Sequence, residues 1–235
     1  MRSLVSASSL VALMTMTPLA GHAITVTTCS TNVCYEYDNT QGAVAYFGLP
    51  TLIGDTMRFL PANFRAESLN TQGVASTSST WLFTRVYSVS GAELSAIMVT
   101  ERGDYSITGD TGGAPDTVSA NLFTQVANNA SLEFVVDIKN FSASGNTASP
   151  PQLWSLSNTP ISPESVFTAI ANDVAVLIQN TLTASSDQLG GNAWIQKKFI
   201  LDITAVSPTV VPVPAAVWLF GSAFGVLTLL RRRAA

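Results

Sequence analysis

The chain has 235 residues, of which 47% are hydrophobic and only 11% charged, with a net charge of −4. Four of its eleven bases (Arg2, Arg231, Arg232 and Arg233) sit at the ends, leaving seven in the body against fifteen acids, a net −8. That sign argues against a nucleic-acid interface. The sparse charge, with Ser, Thr, Asn and Gly as the polar surface, suits an extracellular β-protein better than a cytosolic enzyme.

Residues 1–23 have the layout of an export signal. Arg2 gives a positive start, Leu10 to Met16 a short apolar run, and Gly21-His22-Ala23 a small-residue cleavage site. Cleavage is expected after Ala23, with export through the Sec machinery. The apolar run is too short to span a bilayer, which takes about 20 residues. Next come Cys29 and Cys34, the only cysteines. In an oxidising compartment an even pair reads as a disulfide. A zinc site would need further Cys or His ligands, and the only His is His22.

From Ile24 to about Pro208, about 185 residues that can fill one core, period-two alternation dominates. Strands are expected over Ile24–Thr28, Val33–Tyr37, Ala43–Gly48, Trp81–Val89, Glu93–Glu101 and Asn121–Val126. Leu132, Phe134, Val136 and Ile138 alternate with Glu133, Val135, Asp137 and Lys139, which predicts Phe134 in the core and Glu133 at the surface. A short turn or helix is expected near 163–170 after Ser162-Pro163, then a strand near 173–184. A last strand carries Ile195, Phe199, Leu201 and Ile203. Gly- and Asn-rich turns separate these runs, so the fold class is all-β, an antiparallel β-sandwich of jelly-roll or Ig-like type.

Few features of this body suggest chemistry. Without a His in the exported portion, Ser-His-Asp and Cys-His arrangements fall away, and no carboxylate pair stands out. No catalytic residue and no cofactor is assigned. Asp104, Asp110 and Asp116 flank a Gly-rich stretch and are candidate calcium ligands, though the spacing matches no EF-hand and solvated loop acids are the preferred account. Arg102-Gly103-Asp104 spells an integrin-type tripeptide that ordinary turn chemistry also produces. Trp81, Tyr87, Trp154 and Trp194 either fill a sandwich core or line a sugar platform, and the core assignment is preferred.

The C-terminus reads Val211-Pro212-Val213-Pro214, then an uncharged segment Ala215–Leu230, then Arg231-Arg232-Arg233. Sixteen helical residues span about 24 Å, short of a hydrocarbon core of about 30 Å. The Arg cluster places the tail on the cytoplasmic side and the body outside. The arrangement, with its Ala-Ala-Val-Trp-Leu-Phe-Gly-Ser string, resembles the PEP-CTERM sorting signal of Gram-negative exported proteins. Val213 stands where the name-giving Glu is found, as in an apolar subtype of that signal. The resemblance covers residues 209–235, roughly a tenth of the chain. It implies an exosortase as processing enzyme, a transient stay in the inner membrane, and a mature form at the cell surface or in the extracellular matrix. It also implies an exopolysaccharide or biofilm setting. An ordinary tail anchor would explain the helix and arginines but not the Pro-x-Pro string. The sequence therefore divides into a signal at 1–23, a sandwich at 24–208 and a sorting signal at 209–235. The expected role is that of a non-enzymatic surface or matrix protein, or else a carbohydrate- or calcium-binding module.

Overall fold

The computed structural model describes residues 24–108, 115–145, 150–187 and 189–206. The expected export signal, Asp110 and the sorting signal with its 215–230 helix lie outside them. Among the described residues no helix is long and apolar enough to cross a membrane.

The described residues form twelve strands in two antiparallel sheets that face each other: β1 Thr25–Cys29, β2 Val33–Asp38, β3 Thr51–Ile53, β4 Thr56–Phe59, β5 Phe64–Leu69, β6 Gly73–Ser88, β7 Ala96–Thr108, β8 Asp116–Asn128, β9 Phe134–Gly145, β10 Gln152–Ser157, β11 Asp173–Ser186 and β12 Asn192–Val206. The first sheet has the order β1-β2-β6-β11-β8-β9 and the second β10-β7-β12-β4-β3, with β5 alongside the first half of β12. The expected all-β sandwich is what the chain builds. The core between the sheets is aromatic at one end. Phe59 packs on Trp81 with ring centroids 4.6 Å apart, Tyr35 on Phe83 at 5.6 Å, and Phe47 on Phe64 at 5.1 Å. Edge-to-face and offset contacts of this kind add to the area they bury.

Two local expectations are overturned. Ala43–Gly48 is not a strand but holds one helical turn, α1 Val44–Phe47. The preceding turn decides it: Asp38 Oδ1 accepts from the Thr40 amide at 2.7 Å, and the Val44 amide reaches back to the Gln41 carbonyl at 3.0 Å. Gly48, at φ 72°, then ends the turn in a conformation that suits glycine. Ala43 and Phe47, four residues apart, are both buried, so the turn delivers Phe47 as a plug to the core.

The second correction concerns β9, where the alternation is real but its phase is reversed. Phe134 is 65% exposed and Ile138 51%, while Val135, Phe141 and Ala143 pack on the core. Register explains this. β9 is an edge strand held by β8, whose core side is set by Val118, Leu122 and Val126. Val126 lies opposite Val135, and so Phe134 and Val136 must face out. Asp137 and Lys139, on the inner side, meet each other at 3.2 Å, and Asp137 Oδ2 accepts from the Thr159 amide at 2.6 Å. Beyond these, the short helix α2 Pro163–Val166 precedes β11.

Candidate functional site

The feature best placed to meet a partner is the outer face of the first sheet. On β6, β11, β8 and β9 the side chains opposite the core line up in rows across the strands. Ser76, Thr183, Ser119 and Ser142 share one row, and Ser78, Thr181, Asn121 and Asn140 the next. Thr80, Gln179, Phe123 and Ile138 follow, then Leu82, Leu177, Gln125 and Val136. Ala175, Ala127 and Phe134 close one end, and Val74, Ser185, Thr117 and Ser144 the other. None of the residues named is ionisable. The β6 strand bulges opposite Ala175, where Arg85 lies and pairs with Asp173 of β11 at 2.6 Å, so charge begins only at that end.

The face therefore changes character along the strands. Hydroxyls and amides dominate one half, where Asn121 Nδ2 donates to Asn140 Oδ1 at 2.6 Å. An apolar band with the Phe123 and Phe134 side chains lies at the other. Thr and Ser ladders, tolerated on a flat pleated surface, let the strands run long without core-facing residues on both sides. Period-two reading found these strands but inverted β9, so it missed that apolar residues lie on the solvent side.

The residues singled out from sequence are not gathered in one place. Cys29 and Cys34 are directly paired across the β1–β2 hairpin and joined in a disulfide, with Cα atoms 4.0 Å apart. Trp81 and Trp154 are buried, in keeping with the core assignment. Trp194 is half-buried under the Arg65 guanidinium at 4.7 Å and Tyr87 under Arg85 at 4.5 Å, on different sheets. The Arg102-Gly103-Asp104 tripeptide runs along β7 with Gly103 and Asp104 buried, which does not present it as a loop. Asp116 is buried with neither carboxylate oxygen hydrogen-bonded. Among the described residues no three His, Cys, Asp or Glu side chains are grouped to hold a metal.

The interior holds a polar cluster that alternation did not signal. Lys197 of β12 points between the sheets, where its Nζ donates to Glu101 Oε2 of β7 and, at 2.6 Å, to Asn180 Oδ1 of β11. All three side chains are essentially inaccessible. The rings of Phe64 and Phe47 lie 5.3 and 5.4 Å from Nζ. Burial pushes the Glu101 carboxyl above its ordinary range and the Lys197 amine below its own, both toward the neutral form. The mutual attraction of the two groups opposes this without reversing it.

No protein-family model matches the chain, and no curated protein matches it either. Among solved structures it is similar to those of infectious bursal disease virus. The Gt strain structure gives 12% identity and a TM-score of 0.34 over 77% of this chain and 44% of that one. The chain thus spans less than half the length of that viral protein. A carbohydrate-binding module of the β-sandwich superfamily gives 8% identity and a TM-score of 0.19, over 76% of this chain and 97% of that one. The two-sheet architecture itself rests on the strand pairing described above.

Proposed function

We propose that this is an exported, non-enzymatic surface or matrix protein whose sandwich binds a neutral polysaccharide through the outer face of β6, β11, β8 and β9. The observation that carries the reading is that this face, four strands wide, is free of ionisable side chains for about 30 Å from the Val74–Ser185 row. Its charges, Arg85 and Asp173, are confined to the opposite end and paired with each other at 2.6 Å. A charged ligand would lose its hydration there without gaining an ionic partner, which is unfavourable. A neutral glycan instead offers hydroxyls that both donate and accept, as Ser, Thr, Asn and Gln do. The apolar band gives its less polar faces a place to stack on Phe123 and Phe134.

The setting comes from the ends of the chain. Export by the Sec machinery is read from the signal-like residues 1–23, and release by an exosortase from the inner membrane of a Gram-negative cell from the resemblance to the PEP-CTERM signal. They would bring the sandwich to the exopolysaccharide. The absence of His from residues 24–235 supports a role in binding over one in catalysis.

A glycan array probed with the secreted protein tests this directly. Binding is expected to neutral polymers and not to anionic ones. Asn121→Asp combined with Thr181→Glu, neighbours at the centre of the face, should abolish it while leaving thermal unfolding close to that of the native protein. Absence of binding to every neutral glycan, or binding indifferent to the two added charges, would overturn the reading.

A further inference from the structure

We propose that Lys197 and Asn180 become joined by an intramolecular isopeptide bond from Lys197 Nζ to Asn180 Cγ, with Glu101 carrying the proton, so that β12 and β11 are covalently tied across the core.

The geometry is that of a reaction about to occur. With Nζ 2.6 Å from Asn180 Oδ1 and a carbonyl bond of about 1.2 Å, the carbonyl carbon cannot lie more than about 3.8 Å from the amine. That is close to the separation of a near-attack arrangement. The amine needs a free electron pair to attack, and the interior supplies the condition. Water is excluded by full burial and by the Phe47 and Phe64 rings, and desolvation draws Lys197 and Glu101 toward a neutral amine beside a neutral acid.

The balance closes without any other reactant. The Lys197 ammonium first passes one proton to the Glu101 carboxylate. The amine then attacks Asn180 Cγ, the Nζ–Cγ bond forms, and Glu101 takes a second proton from Nζ as it gives its own to Nδ2. The Cγ–Nδ2 bond breaks and Nδ2 leaves as ammonia. Nothing is oxidised or reduced.

Two loose ends in the hydrogen-bonding point the same way. Asn180 Nδ2 and Glu101 Oε1 are buried and lack any hydrogen-bond partner. A structural ion pair would be expected to satisfy such atoms, since a half-paired buried network is unfavourable. The bond removes the first outright, because Nδ2 is the leaving group, and leaves Glu101 beside the new amide. The cluster is also held in place by its surroundings. Lys197 pairs with Gly103 on β7, where an added Cβ would collide with the Gln196 carbonyl oxygen and press on the Trp154 indole. Trp154 Nε1 donates to that same Gln196 oxygen at 3.2 Å.

Mass spectrometry of the secreted, disulfide-reduced protein, with its termini fixed by peptide mapping, decides the matter. The mass should fall short of the sequence by one ammonia, and digestion should yield a branched peptide joining Asn180 to Lys197. Asn180→Asp should lose one water in place of ammonia. Glu101→Ala should give a folded chain, judged by its circular dichroism, at full mass. A wild-type chain at full mass with Lys197 in a linear peptide would overturn the proposal, whatever the variants do. Bond formation undiminished in Glu101→Ala would overturn the role of Glu101.

Discussion

At the scale of single residues, the strongest prediction concerns Tyr35. Its hydroxyl donates to the Asp55 carbonyl at 2.6 Å and accepts from the Ala205 amide at 3.0 Å, which ties β2 of one sheet to β12 of the other. Tyr35→Phe leaves these two backbone groups only their long mutual bond, Ala205 amide to Asp55 carbonyl at 3.5 Å, and should cost about 1–3 kcal/mol in denaturant unfolding. Burial also raises the phenol's pKa well above its ordinary value. The unfolded chain therefore ionises above about pH 10 while the folded one does not, and stability should fall with rising pH there. The Phe variant should lack that part of the alkaline loss. A second residue-scale prediction follows from β9. Phe134→Ala, at a site 65% exposed, should change stability by less than about 0.5 kcal/mol. Glu133→Ala should do more harm, because its carboxylate accepts from the Thr168 amide at 3.0 Å, from Thr168 Oγ1 at 2.8 Å and from Ser131 Oγ at 2.9 Å. Those bonds hold Glu133 below the usual carboxylate range, so the stability it adds is lost as pH falls through that lowered value. The two variants should accordingly differ at neutral pH and converge in acid. Nothing in the sequence marked Glu133 this way, since Thr168, which supplies two of its three bonds, is 35 residues distant along the chain. Lys197 escaped notice for a related reason. Alternation treats a lysine as a surface residue, and only the register of β12 against β7 brings it to Glu101.

At the scale of elements, short-range chemistry was legible wherever one strand decided its own fate. β2, β11 and the Cys29–Cys34 hairpin follow from alternation and an even cysteine pair. β9 and α1 do not, because a neighbour or a turn decides them: β8 sets the phase of the first, and Asp38, Thr40 and Gln41 set the second. The short strands β3, β4 and β5 also escaped, since three to six residues carry too little pattern to separate them from loops. The disulfide can be tested as an element. It closes a small loop, for which chain entropy gives about 2 kcal/mol, and it staples an edge hairpin. Replacing both cysteines by Ser should lower the midpoint modestly without changing the sandwich. The local loss should appear as faster amide exchange in β1 and β2, while the pairing of β11 with β6 and β8 stays protected.

At the scale of the whole molecule, the sandwich and the proposed sorting signal make separable claims. β12 ends at Val206, whose carbonyl accepts from the Ser95 amide at 2.8 Å, so the last described residue is fastened to the start of β7. A tail leaving that point passes through Pro208 before it reaches Pro212 and Pro214. Prolines disfavour helix and bias the residue before them to extended backbone, which would keep a proposed cut site open to an exosortase at the membrane surface. The uncharged run Ala215–Leu230 and the three arginines would meanwhile hold the precursor in the bilayer. The two parts should fail differently. Replacing Pro212 and Pro214 by Ala would remove the break before the helix expected at 215–230, and in a host with an exosortase it should leave a larger, membrane-bound form. Replacing Arg231, Arg232 and Arg233 by Ala should instead weaken retention before processing, so that uncut chain escapes the membrane fraction. A simple anchor makes the opposite forecast for the prolines, because the apolar run and the arginines are untouched by that change. Proline variant and wild type of equal size in the same membrane fraction would therefore sink the sorting proposal and leave the anchor standing.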